Sequence, residues 1–409
     1  MSDLLGFTSI ALVSMMTLFL GLLRPSIFKI LLVALIVRVI VMLIGHYFVT
    51  LPDSTADAIS FERDAWEIVE LSQGSFFTTF ARGSYYYLSS EFIKWIVAIP
   101  YSLFGRSFLM AKSMSMFFGI GSVFLGWKVA KMIWDKQTAN KVAWVIALFP
   151  SFILYSVIVM REAYIVFFLL VALYGVVTWV KKNNYKSFVL AVLGFILATL
   201  FHGALLLGGL TFLVIVGIIC FIKLCKSLIN NRINIKIFMF FSMFIIILSL
   251  YISGKISVPY LGAFKNTTNL KVLLKKTDGA TRGEAAYPEW TKAQSFNELL
   301  YKGPIRSLYF VFSPFPWDVK KPVHLIGMLD SFIYIYLTFL IFQNRKIIWK
   351  DPVLRIILII LLSYIVIFGV GVGNFGTGIR HRSKFAIMFI LLAAPLIKRL
   401  IFIKKPKKI

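Results

Sequence analysis

The chain has 409 residues, of which 59% are hydrophobic, 16% are aromatic and only 15% are charged, and its mean hydropathy is +0.86. Soluble domains contain about 45–50% apolar and about 25% charged residues, so this composition excludes a soluble enzyme. The 44 Lys and Arg residues outnumber the 17 Asp and Glu residues, which gives a formal net charge of +27. Many of the basic residues fall in short gaps between apolar segments, a pattern that is typical of membrane topology rather than of nucleic-acid binding.

Apolar segments of about 20 residues, each long enough to cross a hydrocarbon core of about 30 Å as a helix, recur along the chain. They predict an all-α polytopic membrane protein with about eleven transmembrane helices, near residues 6–23, 27–49, 107–127, 142–160, 163–180, 187–202, 204–222, 237–253, 323–343, 354–372 and 384–402. The first segment lacks the basic start and the cleavage site of a signal peptide, so we expect it to be a retained span. The apolar segment 92–105 is short and contains Pro100, so we expect it to lie in the interface.

The basic residues orient these spans. With 92–105 in the interface, one set of loops contains 22 Lys and Arg residues against only two acids, Asp135 and Asp351. Loops rich in Lys and Arg face the cytoplasm, so we expect this face, with the carboxyl-terminal tail, to be cytoplasmic. The opposite, external face then carries two long loops, 50–106 and 254–322, and two short turns, at 161–162 and 373–383.

The same reading divides the chain into four parts. Residues 1–26 form an extra amino-terminal span, and residues 27–253 form a transmembrane core that includes the external loop 50–106. An external loop region at 254–322 follows, and residues 323–409 form the last spans and the basic tail.

The external loop 50–106 concentrates acids, because it holds seven of the 17 in the chain. Asp57 follows the end of a span at Pro52, and Asp57, Phe61 and Ala65 recur every four residues on one helical face. We therefore predict a helix along the membrane surface with Asp57 near its start, placed to act as a general base. Asp53 and Glu62 are the rival bases, and a loop that carries acids only for solubility is the alternative.

Two features near other helix ends are candidates for substrate binding. Arg161 and Glu162 lie at an external turn, where an arginine beside lipid headgroups suits phosphate recognition; an anchored ion pair is the alternative. His202 lies at the external end of its span, and a structural hydrogen-bonded histidine is the other interpretation.

The sequence NFGTGIRHRSK at 374–384 is the strongest basic signal. Gly373, Gly376 and Gly378 allow backbone N–H groups to approach an anion, and four basic side chains follow: Arg380, His381, Arg382 and Lys384. Topology disfavours positive charge on the external face. We therefore predict that these side chains bind a phosphate or diphosphate headgroup.

A charged residue also lies inside a span, since Arg38 interrupts LLVALIVRVIVML. A charge at this depth has to be paired or to reach the interface, so Arg38 is predicted to be either a structural contact or part of a site. The two cysteines, Cys220 and Cys225, have no His or Cys partners nearby and argue against a structural zinc site.

Three stretches of the chain resemble a known family. They resemble the GT-C membrane glycosyltransferases of bacterial surface-polysaccharide synthesis. The first stretch has Asp57, an aromatic residue four positions on and Ala65 four further. The other two are YSLFGRSFLMAKSMSMFFGIGSV and ALFPSFILYSVIVMREAYIVFFLLVALY. The likeness covers about residues 27–205, with a weaker echo in SPFPWD and NFGTGIRHRSKF. The family commonly has an acidic pair at the aspartate, whereas Ala58 follows Asp57 here. The arginine- and histidine-rich turn is also similar in character to Wzy-type polysaccharide polymerases.

This resemblance implies transfer of a sugar from a polyprenyl-phosphate or polyprenyl-diphosphate donor by direct displacement at the anomeric carbon. Asp57 removes the proton of the acceptor hydroxyl. The departing phosphate is stabilised by Arg380 and Arg382, together with Arg161 or His381. No soluble cofactor is needed, and no sequence feature supports a divalent metal. The implied partners are the lipid-linked substrate, membrane lipid and other proteins of polysaccharide assembly, at a bacterial inner membrane and without nucleic acid.

Two other function classes compete with a transferase. A flippase for lipid-linked oligosaccharide would use the same basic residues to hold a diphosphate, but a transporter keeps polar residues along a path through its spans, and Arg38 is nearly alone at mid-depth. A purely structural membrane subunit does not explain seven acids in one loop.

Overall fold

The computed structural model of the protein describes residues 2–72, 75, 79, 91–229 and 285–398. The regular secondary structure of these residues is helical, and the only extended pairing among them is an isolated antiparallel bridge between Ala286 and Asn374. The predicted span 237–253 and most of the basic tail lie outside the described residues.

The first half of the chain forms ten helices within the described residues, which we number in chain order. They are α1 (Ser2–Leu23), α2 (Pro25–Tyr47), α3 (Ala56–Ser72), α4 (Phe92–Phe104), α5 (Phe108–Ile133), α6 (Lys136–Leu148), α7 (Pro150–Tyr155), α8 (Glu162–Lys182), α9 (Tyr185–Phe201) and α10 (Leu206–Ile229).

The described part of the second half continues with α11 (Phe296–Phe312), α12 (Pro322–Gln343), α13 (Arg345–Lys350), α14 (Pro352–Gly371), α15 (Phe375–Ser383) and α16 (Ala386–Ala393). Short 3₁₀ turns lie at Gly203–Leu205, Glu289–Thr291, Pro316–Asp318 and Ala394–Leu396.

Six of the described helical segments are long and apolar enough to cross a membrane. They are Ser2–Leu23, Pro25–Tyr47, Phe108–Ile133, Glu162–Lys182, Gly203–Ile229 and Pro352–Gly371. At a rise of about 1.5 Å per residue, helices of 20 residues and more reach about 30 Å. The chain is therefore a helical, multi-pass membrane protein.

Many of the described helices pack against the helix that follows them in the chain. The helices α8 and α9 pack together closely, and α8 also packs against α5. The close approach of α8 and α9 depends on small residues, because a Cβ on Gly194 would lie 2.4 Å from the backbone nitrogen of Ala172. The amino-terminal α1 packs on α2 and α5, so the span predicted as extra is part of the bundle.

Two predicted features of the loop 50–106 are confirmed as helices. The helix α3 begins at Ala56, so Asp57 lies in its first turn, and 92–105 forms α4, which packs on α3. With 13 residues, α4 extends for about 20 Å and is too short to cross a bilayer.

The predicted span 142–160 is wrong as a single helix. The helix α6 ends at Leu148, α7 runs only from Pro150 to Tyr155, and a non-helical turn follows at 156–161. Pro150 has no backbone N–H to continue α6, but it suits the first position of a new helix. The break places Arg161 and Glu162 at the start of α8.

Candidate functional site

The turn that leads into α8 is buried, since every residue from 155 to 166 has lost almost all contact with solvent. Glu162 is the first residue of α8 and its side chain is 1% exposed. A carboxylate at a helix N-terminus is favoured by the helix dipole. Non-helical backbone within a membrane bundle is tolerated where protein surrounds it, so the turn needs polar partners.

Arg38 of α2 supplies those partners. Its Nε donates to Ser156 Oγ at 2.9 Å, and its Nη1 donates to the carbonyl of Ala147 at 2.9 Å, which the end of α6 has left without a helical partner. The turn also passes close to α5, because a Cβ on Gly119 would lie 2.3 Å from Ser156 Cβ. Arg38 is therefore a structural contact that fixes the turn before Arg161.

The helix α15 brings two basic side chains to Glu162. Asn374 caps this helix by accepting from the N–H groups of Gly376 and Thr377, and residues four apart lie on one helical face. Arg380 Nε donates to Glu162 Oε1 at 2.9 Å, and Lys384 Nζ lies 3.5 Å from the same oxygen. We call Arg161, Arg380 and Lys384 the cation cluster; the third member, Arg161, has its Nε 4.0 Å from Glu162 Oε1.

Asp57 lies at the edge of the cation cluster. Its Oδ2 accepts a hydrogen bond from Arg380 Nη1 at 2.5 Å. The Asp57 side chain is 53% exposed, whereas that of Glu162 is 1% exposed. The two carboxylates on Arg380 therefore differ sharply in their access to solvent.

The cation cluster is incompletely paired. Among the described residues, buried polar atoms without a hydrogen-bond partner include Arg161 Nε and Nη1, Arg380 Nη2 and Glu162 Oε2. Burial lowers the pKa of Arg161, yet an arginine stays protonated at neutral pH. Since buried donors are normally satisfied, these unpartnered guanidinium N–H groups make the cation cluster a candidate for contact with an anion.

Arg380 is held in its charged form. Burial acts to lower the pKa of Arg380, but Glu162 and Asp57 outweigh burial and raise the pKa above its usual value. The guanidinium is therefore a permanent positive charge next to Asp57.

Two histidines border the cation cluster. The rings of His202 and His381 meet edge to face with centroids 5.1 Å apart, and Lys384 Nζ lies 2.7 Å from His381 Nδ1. Burial, reinforced by Lys384, lowers the pKa of His381 well below its usual value. The imidazole is therefore neutral at pH 7, with one ring nitrogen that can accept and one that can donate a hydrogen bond.

Arg382 lies apart from the cation cluster. It is 1% exposed, and its Nε and Nη2 donate to Asp330 Oδ2 at 3.0 and 2.8 Å. Its Nη1 donates to the carbonyls of Val311 and Ser313 at 3.0 and 2.5 Å. The geometry therefore gives Arg382 a structural contact between α15, α12 and the end of α11, and it does not support the predicted phosphate contact.

The two rival acids are also engaged elsewhere. Glu62 is 5% exposed and accepts from Tyr101 Oη and from Arg106 Nε and Nη2, each at 2.9 Å. The hydrogen bond to Glu62 raises the pKa of Arg106. Asp53 accepts from Tyr155 Oη at 2.8 Å. Of the three predicted acids, only Asp57 touches the cation cluster.

Three partners in this region were not singled out from the sequence: Arg106, Tyr155 and Asp330. Asp330 had a readable signal, because an acid within the apolar segment IGMLDSFIY needs a basic partner. Arg106 and Tyr155 had no comparable signal.

A small cavity, about large enough for one water molecule, lies beneath Glu162. Its polar lining includes Ser122, Ser151, Ser156 and Tyr155. Among the described residues, no group of three or more His, Cys, Asp or Glu side chains is arranged to hold a metal ion. The chemistry available here is that of fixed positive charge, neutral imidazole and one half-exposed carboxylate.

Comparison of the chain with protein-family models, with curated proteins and with solved structures finds no match to any of them. The function therefore has to be argued from the site.

Proposed function

We propose that this protein is a membrane glycosyltransferase that takes a sugar, or an oligosaccharide repeat unit, from a polyprenyl-phosphate or polyprenyl-diphosphate donor. The observation that carries the proposal is the cation cluster, with unpartnered guanidinium N–H groups, in contact with the half-exposed carboxylate of Asp57. A phosphate group matches the donors, and the carboxylate is placed beside it to accept a proton.

The reaction needs two groups that the site provides. The acceptor hydroxyl oxygen attacks the anomeric carbon and its proton passes to an Asp57 carboxylate oxygen, the role of a general base. The bond between the anomeric carbon and the phosphate oxygen breaks, and the phosphate leaves with the electron pair. Arg380 and Arg161 stabilise the charge that grows on this phosphate, which is the largest contribution in many such sites.

The place of the cation cluster suits a lipid-linked donor. Glu162 begins one membrane-spanning segment, and Asp57 follows shortly after another, α2. Both therefore lie at helix ends, where a phosphate headgroup meets water while its polyprenyl chain stays in the bilayer. A soluble nucleotide sugar would not need this position.

The further details of the assignment belong to the same proposal. They are a GT-C-like architecture with about eleven spans, a bacterial inner membrane, an external active face and a cytoplasmic carboxyl terminus. The lipid-linked substrate, membrane lipid and other polysaccharide-assembly proteins are the proposed partners. The separation of 22 basic residues onto one set of loops supports the orientation.

The direct test is an in vitro transfer assay with purified protein in lipid nanodiscs and polyprenyl-phosphate and polyprenyl-diphosphate sugars as donors. We expect product with one of the donors and its loss in the Asp57→Asn variant. Glu67→Gln is the matched control, because Glu67 lies on the same helix, has a similarly exposed side chain (56%) and forms an ion pair with Arg63 at 3.5 Å.

A cell-based test identifies the type of transfer. Surface polysaccharide from cells with and without the gene is compared by mass. Loss of single sugars indicates a transferase, chains of one repeat unit indicate a Wzy-type polymerase, and lipid-linked oligosaccharide that accumulates on the cytoplasmic face indicates a flippase. The proposal would be contradicted if no donor gave product in vitro and the surface polysaccharide of the two strains did not differ.

A further inference from the structure

Arg380 is shared between two carboxylates that the protein holds in different ways. Its Nε contacts the buried Glu162 and its Nη1 contacts the exposed Asp57, while its Nη2 is buried without a partner. A guanidinium offers its N–H groups in a planar fork that fits carboxylate and phosphate oxygens equally well. Asp57 therefore occupies a position on Arg380 that a phosphate oxygen can take.

We propose that Asp57 is an internal stand-in for the donor phosphate, and that donor binding displaces it from Arg380. This inference rests on the proposed function and adds the order of events at the site. In the free protein the Asp57–Arg380 pair closes the cation cluster, and in the donor complex the phosphate takes the Nη1 position. The displaced carboxylate is then available to the acceptor hydroxyl.

The difference in surroundings identifies Asp57 as the group that leaves. Glu162 is 1% exposed, and Arg380, Lys384 and Arg161 surround its Oε1. Taking a paired carboxylate of this kind out of its site leaves buried charge uncompensated, which is costly. Asp57 is 53% exposed and has water available to replace its contact with Arg380.

The backbone around Asp57 allows this exchange without a large rearrangement. Asp57 lies in the first turn of α3, where the N-terminal end of the helix continues to stabilise a negative charge after the pair opens. Pro52, Asp53 and Thr55, which precede α3, are exposed, and Ser54 is half-buried. A change of side-chain rotamer is therefore enough to release the carboxylate.

The exchange links the two halves of the reaction. While Asp57 is bound to Arg380, its Oδ2 accepts a hydrogen bond from the guanidinium, so the carboxylate is held at the position that the donor phosphate needs. Once a phosphate replaces it, the same oxygen can accept the proton of the acceptor hydroxyl. The donor thus has two effects: its phosphate, the leaving group, contacts Arg380, and its binding frees Asp57 to act as the base.

The test measures binding of inorganic pyrophosphate to the full-length protein in nanodiscs by isothermal titration calorimetry. If Asp57 competes with phosphate for Arg380, Asp57→Asn and Asp57→Ala bind pyrophosphate roughly two- to fivefold more tightly than the unmodified protein, the range expected for removing a competing exposed ion pair. Sugar transfer by both variants falls in the same preparations. Glu67→Gln removes one negative charge from the same helix and leaves the affinity unchanged.

Two results overturn the inference in distinguishable ways. If Asp57→Asn binds pyrophosphate more weakly, or no differently from Glu67→Gln, Asp57 positions Arg380 rather than competing for it, and the proposed function stands without the exchange. If the unmodified protein and Arg380→Gln give the same signal, the cation cluster does not bind phosphate, and the proposed function and the exchange both fail.

Discussion

At the scale of single residues, the charged side chains differ in whether their hydrogen bonds are complete. The polar atoms of Arg382 and Glu62 form hydrogen bonds with protein partners within the described residues. Arg161 and Arg380, by contrast, have unpartnered N–H groups. Complete pairing indicates a structural role, because loss of one partner leaves the other buried and unsatisfied. Unpartnered N–H groups in contact with a half-exposed acid are the feature on which the proposed phosphate contact rests.

Two acids of α3, Asp57 and Glu62, should respond differently to neutralisation. Asp57→Asn is expected to keep the thermal stability and to lower sugar transfer by roughly 10²–10⁴-fold, as for a lost general base. Glu62→Gln is expected to lower the free energy of unfolding by about 1–3 kcal/mol, because it weakens the bonds to Arg106 and Tyr101. Transfer rates and melting temperatures of both variants test this; full activity of Asp57→Asn would reject Asp57 as the base.

The two arginines of α15 should differ in the same way. Arg380→Lys keeps the positive charge but loses the planar fork, so we expect transfer to fall roughly 10²-fold with little change in melting temperature. Arg382→Lys disrupts the buried pair with Asp330 and should destabilise the protein by about 3–5 kcal/mol. If Arg382→Lys stays as stable as the unmodified protein while transfer is lost, the phosphate role predicted for Arg382 from the sequence is restored.

His381 gives a pH dependence with a defined sign. Burial lowers its pKa in the folded protein, while the unfolded chain takes up a proton near pH 6.5. Stability is therefore complete above about pH 6.5 and decreases as the pH falls below it, because the unfolded state binds the extra proton. The groups that face His381 are Lys384, His202, Arg161 and Arg380.

Melting temperatures of the unmodified protein and His381→Gln between about pH 7.5 and pH 5 measure this effect. We expect a smaller decrease in the variant, since glutamine does not titrate. Identical slopes would show that His381 is not the group responsible.

At the scale of elements, the helices of the site could be predicted better than the contacts between them. The start of α3 at Ala56 follows from Pro52 and the four-residue spacing after Asp57. The helix α4 matches the short apolar segment 92–105, with Pro100 inside the helix rather than at its end. Separate stretches were singled out around Asp57, Arg161, His202 and Arg380. Their meeting, across 323 positions between Asp57 and Arg380, depends on packing that no local pattern carries.

The sequence pattern of α15 predicts one basic patch, although helical periodicity could have separated its basic side chains onto different faces. Successive helical residues turn by about 100°, so Arg380 and Lys384 share a face and Arg382 points away from it. The break in the predicted span 142–160 also had a visible signal in Pro150. The burial of the turn that follows, by contrast, needs the tertiary contact from Arg38.

The close contact between Gly119 of α5 and the turn 156–161 should be essential to the site. Gly119→Ala places a Cβ 2.3 Å from Ser156 Cβ, so the turn and Arg161 have to shift, with a loss of about 1–3 kcal/mol in stability and a fall in transfer. Gly371→Ala is the control, because nothing lies within 4 Å of its added Cβ. Its stability should stay within about 1 kcal/mol of the unmodified protein.

At the scale of the whole molecule, orientation in the membrane is the prediction that all others depend on. In a Cys220→Ala, Cys225→Ala background, Ser75→Cys is expected to react with a membrane-impermeant maleimide on intact spheroplasts, and Lys182→Cys only after lysis. Both positions are exposed, so access depends on the side of the membrane. Labelling of position 182 but not of position 75 would invert the topology.

The ion pair between Glu162 and Arg380 has a consequence for synthesis of the chain. Arg380 is made 218 residues after Glu162, which at ribosomal rates of about 5–20 residues per second takes roughly 10–45 seconds. Until then Arg161 is the one member of the cation cluster already present beside Glu162. The carboxylate therefore reaches its full set of cationic neighbours only after the carboxyl-terminal helices have packed.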